Sequence, residues 1–419
     1  MQPRQTAWLA TGMLLALLAA LGHLHFMNHK PEIHGLQNLN SDLLPRWIGI
    51  RAAFSGEDPY SPGVLREIQT KYYRRPLTPA DQGIDQQGFW YPAYAAIILG
   101  PFAVLPWNAA NLAFFIAVPP LFIAGLWLCI RTLEPSREVV WIATSFTFVS
   151  WPVMWALRLQ QPTLLAAAFV FLAFSLIVRG NDIPAGALLA ASTIKPQLVA
   201  PLILWLFLWA VLQRRYRLLA SFTCAMAALL IPTEILVPNW FPHWIRSVAT
   251  YSDNTNSAWP LVCALGNTPG VVATVALVAV SAFVLWRLRS ADPQSPYFAL
   301  AFSLVLATAL CVTPTKFAII YNQILLAPAA VLIFCWKPAG YHANVARCLA
   351  MGLFLLLFFV LFLTVLIESI FGPSKLWYVL PFGNIPLPAA VTVALLVQYW
   401  DVTRTTSSTQ PEEFATAMA

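Results

Sequence analysis

Apolar stretches alternate with short polar ones along almost the whole chain, and the length of each stretch limits what it can build. The runs near 8–26, 109–131, 139–157, 162–178, 183–194, 197–213, 217–237, 268–289, 297–313, 320–336, 347–371 and 384–400 each predict a helix. Roughly 20 apolar helical residues cover the ~30 Å hydrocarbon core of a bilayer, so the pattern predicts an all-α fold, a polytopic transmembrane bundle of about 12 spans. One apolar stretch, 93–105, is only about 13 residues long and is stopped by Pro106. It is expected to be a re-entrant or outer-leaflet helix rather than a span. The first run has the outline of a signal peptide but no small-x-small site after it, and is expected to stay as an uncleaved anchor.

Composition supports lipid as the solvent. Of 419 residues, 59% are hydrophobic and 10% charged, where a soluble domain carries about a quarter charged residues. The net charge of +7 does not indicate nucleic acid, because the basic residues fall in short clusters between apolar runs. Arg131 and Arg137, Arg179, the group Arg214, Arg215 and Arg217, Arg287 and Arg289, Lys337 and Arg347, and Arg404 all come to one face if the N-terminus is cytoplasmic. That count makes 1–402 a single transmembrane domain with a long first outer loop at 27–108, and leaves 403–419 as a disordered cytoplasmic tail. Further outer loops are expected at 158–163, 195–196, 238–267, 313–322 and 372–384.

Several chemistries find no support. The six cysteines show neither a disulfide nor a zinc pattern. His23, His25, His29 and His34 do not all share a helical face, so they are expected as interface residues rather than metal ligands. No Asp-x-Asp, P-loop, nucleophile elbow or GxGxxG element occurs. The absence of an internal repeat weighs against a transporter.

The first loop carries the chemistry. Leu43, Trp47, Ile50 and Phe54 recur at helical spacing, predicting an interfacial helix over 43–55. Asp42 stands at its N-cap, and Gly56 with Asp58-Pro59 ends it in a turn. The aromatic run Phe89-Trp90-Tyr91-Pro92 then returns the chain to the bilayer.

An acidic residue beyond the first span, a juxtamembrane helix ending in Gly56-Glu57-Asp58-Pro59-Tyr60, and an aromatic-Tyr91-Pro92 return together resemble glycosyltransferase family 87. Gln161 is similar to that family's Gly-Gln element, with Gln160 in place of the glycine. Arg179-Gly180, Ala185-Gly186 and Lys195-Pro196 resemble its Arg-Gly, Ala-Gly-Leu-Leu and Lys-Pro elements. The likeness covers about the first half of the chain. It implies a GT-C-like fold and inverting transfer of a hexose, commonly mannose, from a polyprenyl-phosphate donor to a glycan or glycolipid acceptor. It needs no cofactor, and neither a metal nor nucleic acid is implied. The setting is the periplasmic or outer face of a bacterial inner or plasma membrane.

By position Asp42 matches the family's catalytic aspartate, and its other role would be helix capping. Asp58 is the second candidate base, with turn chemistry as its alternative. Lys195, Arg158 and Lys316 are isolated cations at outer ends of spans, suited to holding the leaving phosphate or else snorkelling to the interface. Gln161 suits a sugar hydroxyl or the start of a helix. Tyr60 and Tyr91 belong to the motifs and join the substrate-binding candidates. Asp253 beside Trp240, Trp244 and Trp259 suits sugar binding or a plain polar loop, and Glu234 is a candidate for lining a cavity. The rival readings are an O-antigen-type ligase or polymerase, a lipid or sugar transporter, and a non-catalytic scaffold.

Overall fold

The computed structural model describes residues 41–78, 81, 84–133, 136–255, 258–314, 319–336, 340–355 and 387–416. Expectations for the first span, for His23, His25, His29 and His34, for Lys316 and for residues 356–386 lie outside them. Among the described residues the protein is all-helical. In chain order the helices are α1 (Leu43–Phe54), α2 (Pro62–Tyr73), α3 (Ala95–Ala103), α4 (Trp107–Leu133), α5 (Arg137–Phe148), α6 (Trp151–Arg158), α7 (Thr163–Val178), α8 (Asp182–Ser192) and α9 (Pro196–Leu212). There follow α10 (Tyr216–Leu236), α11 (Trp240–Thr255), α12 (Pro260–Leu265), α13 (Asn267–Arg287), α14 (Pro296–Val312), and α15 (Ile319–Asn322) leading through a 3₁₀ turn into α16 (Ala327–Cys335). Residues 341–355 form α17, and α18 is Leu387–Thr416, helical backbone that runs past 403, where a disordered tail is expected.

This is a membrane protein. Helices α4, α10 and α13 are long and apolar enough to cross a bilayer, and α5 with α6 makes a fourth candidate if the pair, bent by 49°, is one span. Large apolar side chains on their outer faces, among them Leu112, Ile116, Ile231, Ile235, Val272 and Phe283, are exposed, as suits helices solvated by lipid. The expected count of about 12 is not reached by length alone. Helices α7, α9 and α14 have 16 or 17 residues, about 25 Å at 1.5 Å per residue. The 320–336 segment is broken by its 3₁₀ turn.

Helices α7 and α14 are apolar all round and buried on nearly every side, as interior helices must be. Close backbone approach draws others around them. A Cβ on Gly125 of α4 would lie 2.8 Å from the Ala168 carbonyl of α7, and one on Gly186 of α8 would lie 2.5 Å from the Leu218 carbonyl of α10. The Ala185-Gly186 element is therefore a helix-packing device. Asp182, opening α8, forms a forked ion pair with Arg215 just before α10, at 2.5–3.0 Å. This joins the two helix starts, and α8, with eleven residues where a span was expected over 183–194, is too short to cross a bilayer by itself before the chain reaches Lys195.

The 41–105 segment packs beside Lys195. Helix α1 has the expected limits, but nine of its twelve residues are buried. It lies under protein rather than along a surface because Phe89 covers Gly49 and α3 covers its side. Trp47 and Arg51 donate to the Leu105 and Ala103 carbonyls at 2.9 and 3.1 Å, which satisfies the C-terminus of α3. At nine residues, about 13 Å long, α3 cannot cross a bilayer. The stretch 238–267, expected as a polar loop, is instead largely helical as α11 and α12. The reason is the four-residue spacing of Trp240 and Trp244: Trp240 packs edge-on against Tyr94, and Trp244 donates to the Trp90 carbonyl at 3.1 Å.

Candidate active site

The turn between α6 and α7 is the seat of the site. Gln160 occupies the left-handed region at φ 52°, a conformation that favours glycine. Its buried amide offsets that strain by accepting from Ser41 Oγ at 2.6 Å and donating to Asn111 Oδ1 at 2.8 Å. Next to it, the Asp42 N–H donates to the Leu159 carbonyl at 2.7 Å. Asp42 thus precedes α1 but its carboxylate does not cap that helix. The backbone tether turns it toward Gln161.

Gln161 joins an anion to a cation. Its Nε2 donates to Asp42 Oδ2, and its Oε1 accepts from Lys195 Nζ at 2.8 Å. A carboxylate can only accept and an ammonium can only donate, so only one orientation of the amide satisfies both. Lys195 also donates to Thr163 Oγ1 at 2.5 Å, and Thr163 donates to Asn322 Oδ1 at 3.1 Å. The ammonium lies 4.6 Å from the Tyr321 ring centroid and 5.9 Å from that of Tyr91. Tyr94 fixes the approach to Lys195 by donating to the Thr193 carbonyl at 2.8 Å.

Arg46 completes the cluster. Its Nη1 donates to the Asp42 carbonyl at 2.7 Å, and its guanidinium lies 4.6 Å from the Tyr91 ring centroid. Arg46, Asp42 and Lys195 are all buried. Burial raises the Asp42 carboxyl above the ordinary carboxylate range, against the pull of Arg46 and Lys195. Burial, reinforced by Arg46, drives the Lys195 amine well below its usual value, while Asp42 works the other way.

A second carboxylate stands within charge range of Asp42. Asp85 accepts from Gln87 Nε2 at 2.7 Å and from the Tyr251 hydroxyl at 3.1 Å. Its surface opens to solvent, yet the surrounding protein mass, with the Asp42 charge next in weight, pushes its carboxyl up to about 6.

The structure therefore brings together Asp42, Gln161, Lys195 and Tyr91 from the sequence-derived candidates. Tyr60 braces them, its hydroxyl donating to the Tyr91 carbonyl at 2.8 Å. Arg158 is buried and interacts electrostatically with Tyr72, which in turn feels Asp42. Asp58 is engaged elsewhere: one oxygen accepts from the Tyr60 N–H at 2.9 Å and the other faces His243 Nδ1 at 2.7 Å. Lys316 lies outside the described residues, as does the side chain of Asp253. Glu234 is exposed and accepts from the Asn239 N–H at 2.8 Å, closing a turn rather than lining a cavity. Arg75 is held by Asp81 at 2.6 and 2.7 Å. Among the described residues no three His, Cys, Asp or Glu side chains group as metal ligands.

Arg46, Asp85, Tyr251, Tyr321 and Asn322 were not singled out by their sequence. The one available signal was that Arg46 lies four residues after Asp42, on the same helical face.

Residues 89–314 match the family model of glycosyltransferase family 87, just over half of the chain. Tyr91, Gln161 and Lys195 fall inside that stretch, while Asp42, Arg46 and Asp58 precede it. No curated protein and no solved structure matches the chain.

Proposed function

Starting from the fact that the chain belongs to glycosyltransferase family 87, we propose that this membrane glycosyltransferase moves a hexose from a polyprenyl-phosphate donor to a glycan or glycolipid. Mannose is the hexose the family resemblance implies. The observation that carries the reading is the junction of Asp42 and Lys195 through Gln161, with Arg46 beside them. Two cations and one carboxylate leave this buried cluster with one net positive charge. A lipid-phosphate-sugar donor is a phosphodiester with one negative charge, so its arrival makes the cluster neutral.

The balance holds through the reaction. Asp42 takes the proton from the acceptor hydroxyl as its oxygen forms a bond to the anomeric carbon. The bond from that carbon to the phosphate oxygen breaks, and the polyprenyl phosphate leaves with two negative charges. Asp42 is then neutral, and Arg46 and Lys195 match the leaving phosphate charge for charge. Direct displacement inverts the anomeric centre. Lys195 follows an eleven-residue helix whose start carries the Asp182–Arg215 pair. On this reading the phosphate sits near the outer boundary, with the prenyl tail among the apolar helices. The remaining apolar segments then serve as the short spans of a bundle of about 12, with both termini cytoplasmic and the site facing the periplasm.

The test is hexose transfer by purified protein from a polyprenyl-phosphate-hexose donor. Asp42→Asn is expected to lose about a hundredfold or more in kcat, while Asp58→Asn keeps most activity. Full turnover by Asp42→Asn would remove the proposed base.

A further inference from the structure

A group of side chains beside the catalytic cluster has the make-up of a carbohydrate subsite. The Trp90 indole is fixed in place. Its Nε1 donates to the Gln86 carbonyl at 3.0 Å, and its own carbonyl accepts from Trp244 at 3.1 Å. Gly88 permits this, since a Cβ there would lie 2.5 Å from the indole. The Tyr251 ring lies 5.0 Å from the Trp90 ring, tilted by 34°, and its hydroxyl reaches Asp85. Gln87 holds the other Asp85 oxygen. Tyr73 donates to the Asp85 backbone carbonyl at 2.6 Å and fixes the turn.

Two sequence-distant segments thus converge to orient one solvent-open carboxylate. Among the described residues each of its oxygens receives one donor, and a carboxylate oxygen has lone-pair capacity for another. The indole has spent its only donor, and its half-buried ring leaves part of an apolar surface open beside Tyr251. Hydroxyl donors on one edge and a C–H face on the other are the complement of such a surface, and a pyranose carries both. Asp85 also feels the charge of Asp42, so the two carboxylates stand within charge range of each other.

We propose that Asp85, Gln87, Trp90 and Tyr251 form the acceptor subsite, binding a hexopyranose through paired hydroxyls on Asp85 and through its apolar face on Trp90. The assignment deepens the glycosyl-transfer reading and rests on it for the word acceptor. Asp85 is a positioning residue: it orients the acceptor hydroxyl toward Asp42 and exchanges no proton with it.

Binding separates the two ideas. Saturation-transfer NMR on the full chain in detergent, with methyl α-D-mannopyranoside and methyl α-D-glucopyranoside and no donor present, needs no turnover. Wild type is expected to bind at least one of them. Asp85→Asn should weaken binding about tenfold or more, the scale of one charge-assisted hydrogen bond, and Tyr251→Phe, which keeps the ring, by a few-fold. In transfer assays Asp85→Asn should raise the acceptor KM while leaving the donor KM in place. Failure of both glycosides to bind wild type, or wild-type affinity in Asp85→Asn, overturns the subsite. If Asp85→Asn loses glycoside binding while Asp42→Asn transfers normally, the subsite stands and the proposed base falls.

Discussion

The protonation of Asp42 is decided by a contest between burial, which favours the neutral acid, and the charges of Arg46 and Lys195, which favour the carboxylate. A base must be ionised to accept a proton, so activity is lost as pH falls and Asp42 protonates. Removing the Arg46 charge takes away one of the two opposing pulls and lifts the carboxyl further. Arg46→Gln should therefore move the acidic limb of the kcat/KM profile to higher pH. A limb that stays fixed, or moves to lower pH, would separate Arg46 from the base. Only its place four residues after Asp42 distinguishes Arg46 locally from Arg51, five residues on in the same helix. Arg51 is exposed and bonds α3, whereas Arg46 is buried against Tyr91. The difference arises only because the 89–92 return passes over one face of α1.

At the scale of elements, the α6–α7 turn shows how a departure from a motif is accommodated. Gln160 stands where the family resemblance calls for glycine, at φ 52°. A non-glycine residue there costs about 1 kcal/mol or somewhat more. Its two buried side-chain hydrogen bonds contribute about 1 kcal/mol each, and losing them leaves Ser41 and Asn111 unsatisfied. The hydrogen bonds win. Gln160→Gly is expected to destabilise the protein by roughly 1–2 kcal/mol, read as a lower thermal midpoint of the purified protein. A raised midpoint would mean that backbone strain dominates this turn. The helix limits near Leu43, Trp107, Pro196 and Asn267 follow from apolar runs and their stop signals, and were legible. Helix α11 was not, because its polar face and its Tyr-Ser-Asp-Asn end look like a loop until Trp240 and Trp244 find Tyr94 and the Trp90 carbonyl.

For the whole molecule, the proposed orientation rests on where its charged segments fall. In that proposal the outer side holds the 41–105 segment and Lys195, and the cytoplasmic side holds Asp182 and Arg215. Thr70 on α2 and Arg217 at the start of α10 are both exposed. In intact cells a membrane-impermeant thiol reagent should modify Thr70→Cys at once, above the background of the native cysteines, and Arg217→Cys only after permeabilisation. The reverse order would invert the topology. Hydropathy, charge spacing and a few short motifs were enough to determine the solvent, the helical class and the family, and to single out Asp42, Gln161 and Lys195 as candidates. Each depends on neighbours in the chain or on a run of residue types. Tertiary structure alone decided which side chains meet. Gln161 lies 119 positions from Asp42, Thr163 lies 159 from Asn322, and Tyr251 lies 166 from Asp85. Distances of that kind are set by how helices pack against one another, and no local pattern of apolar and polar residues encodes them.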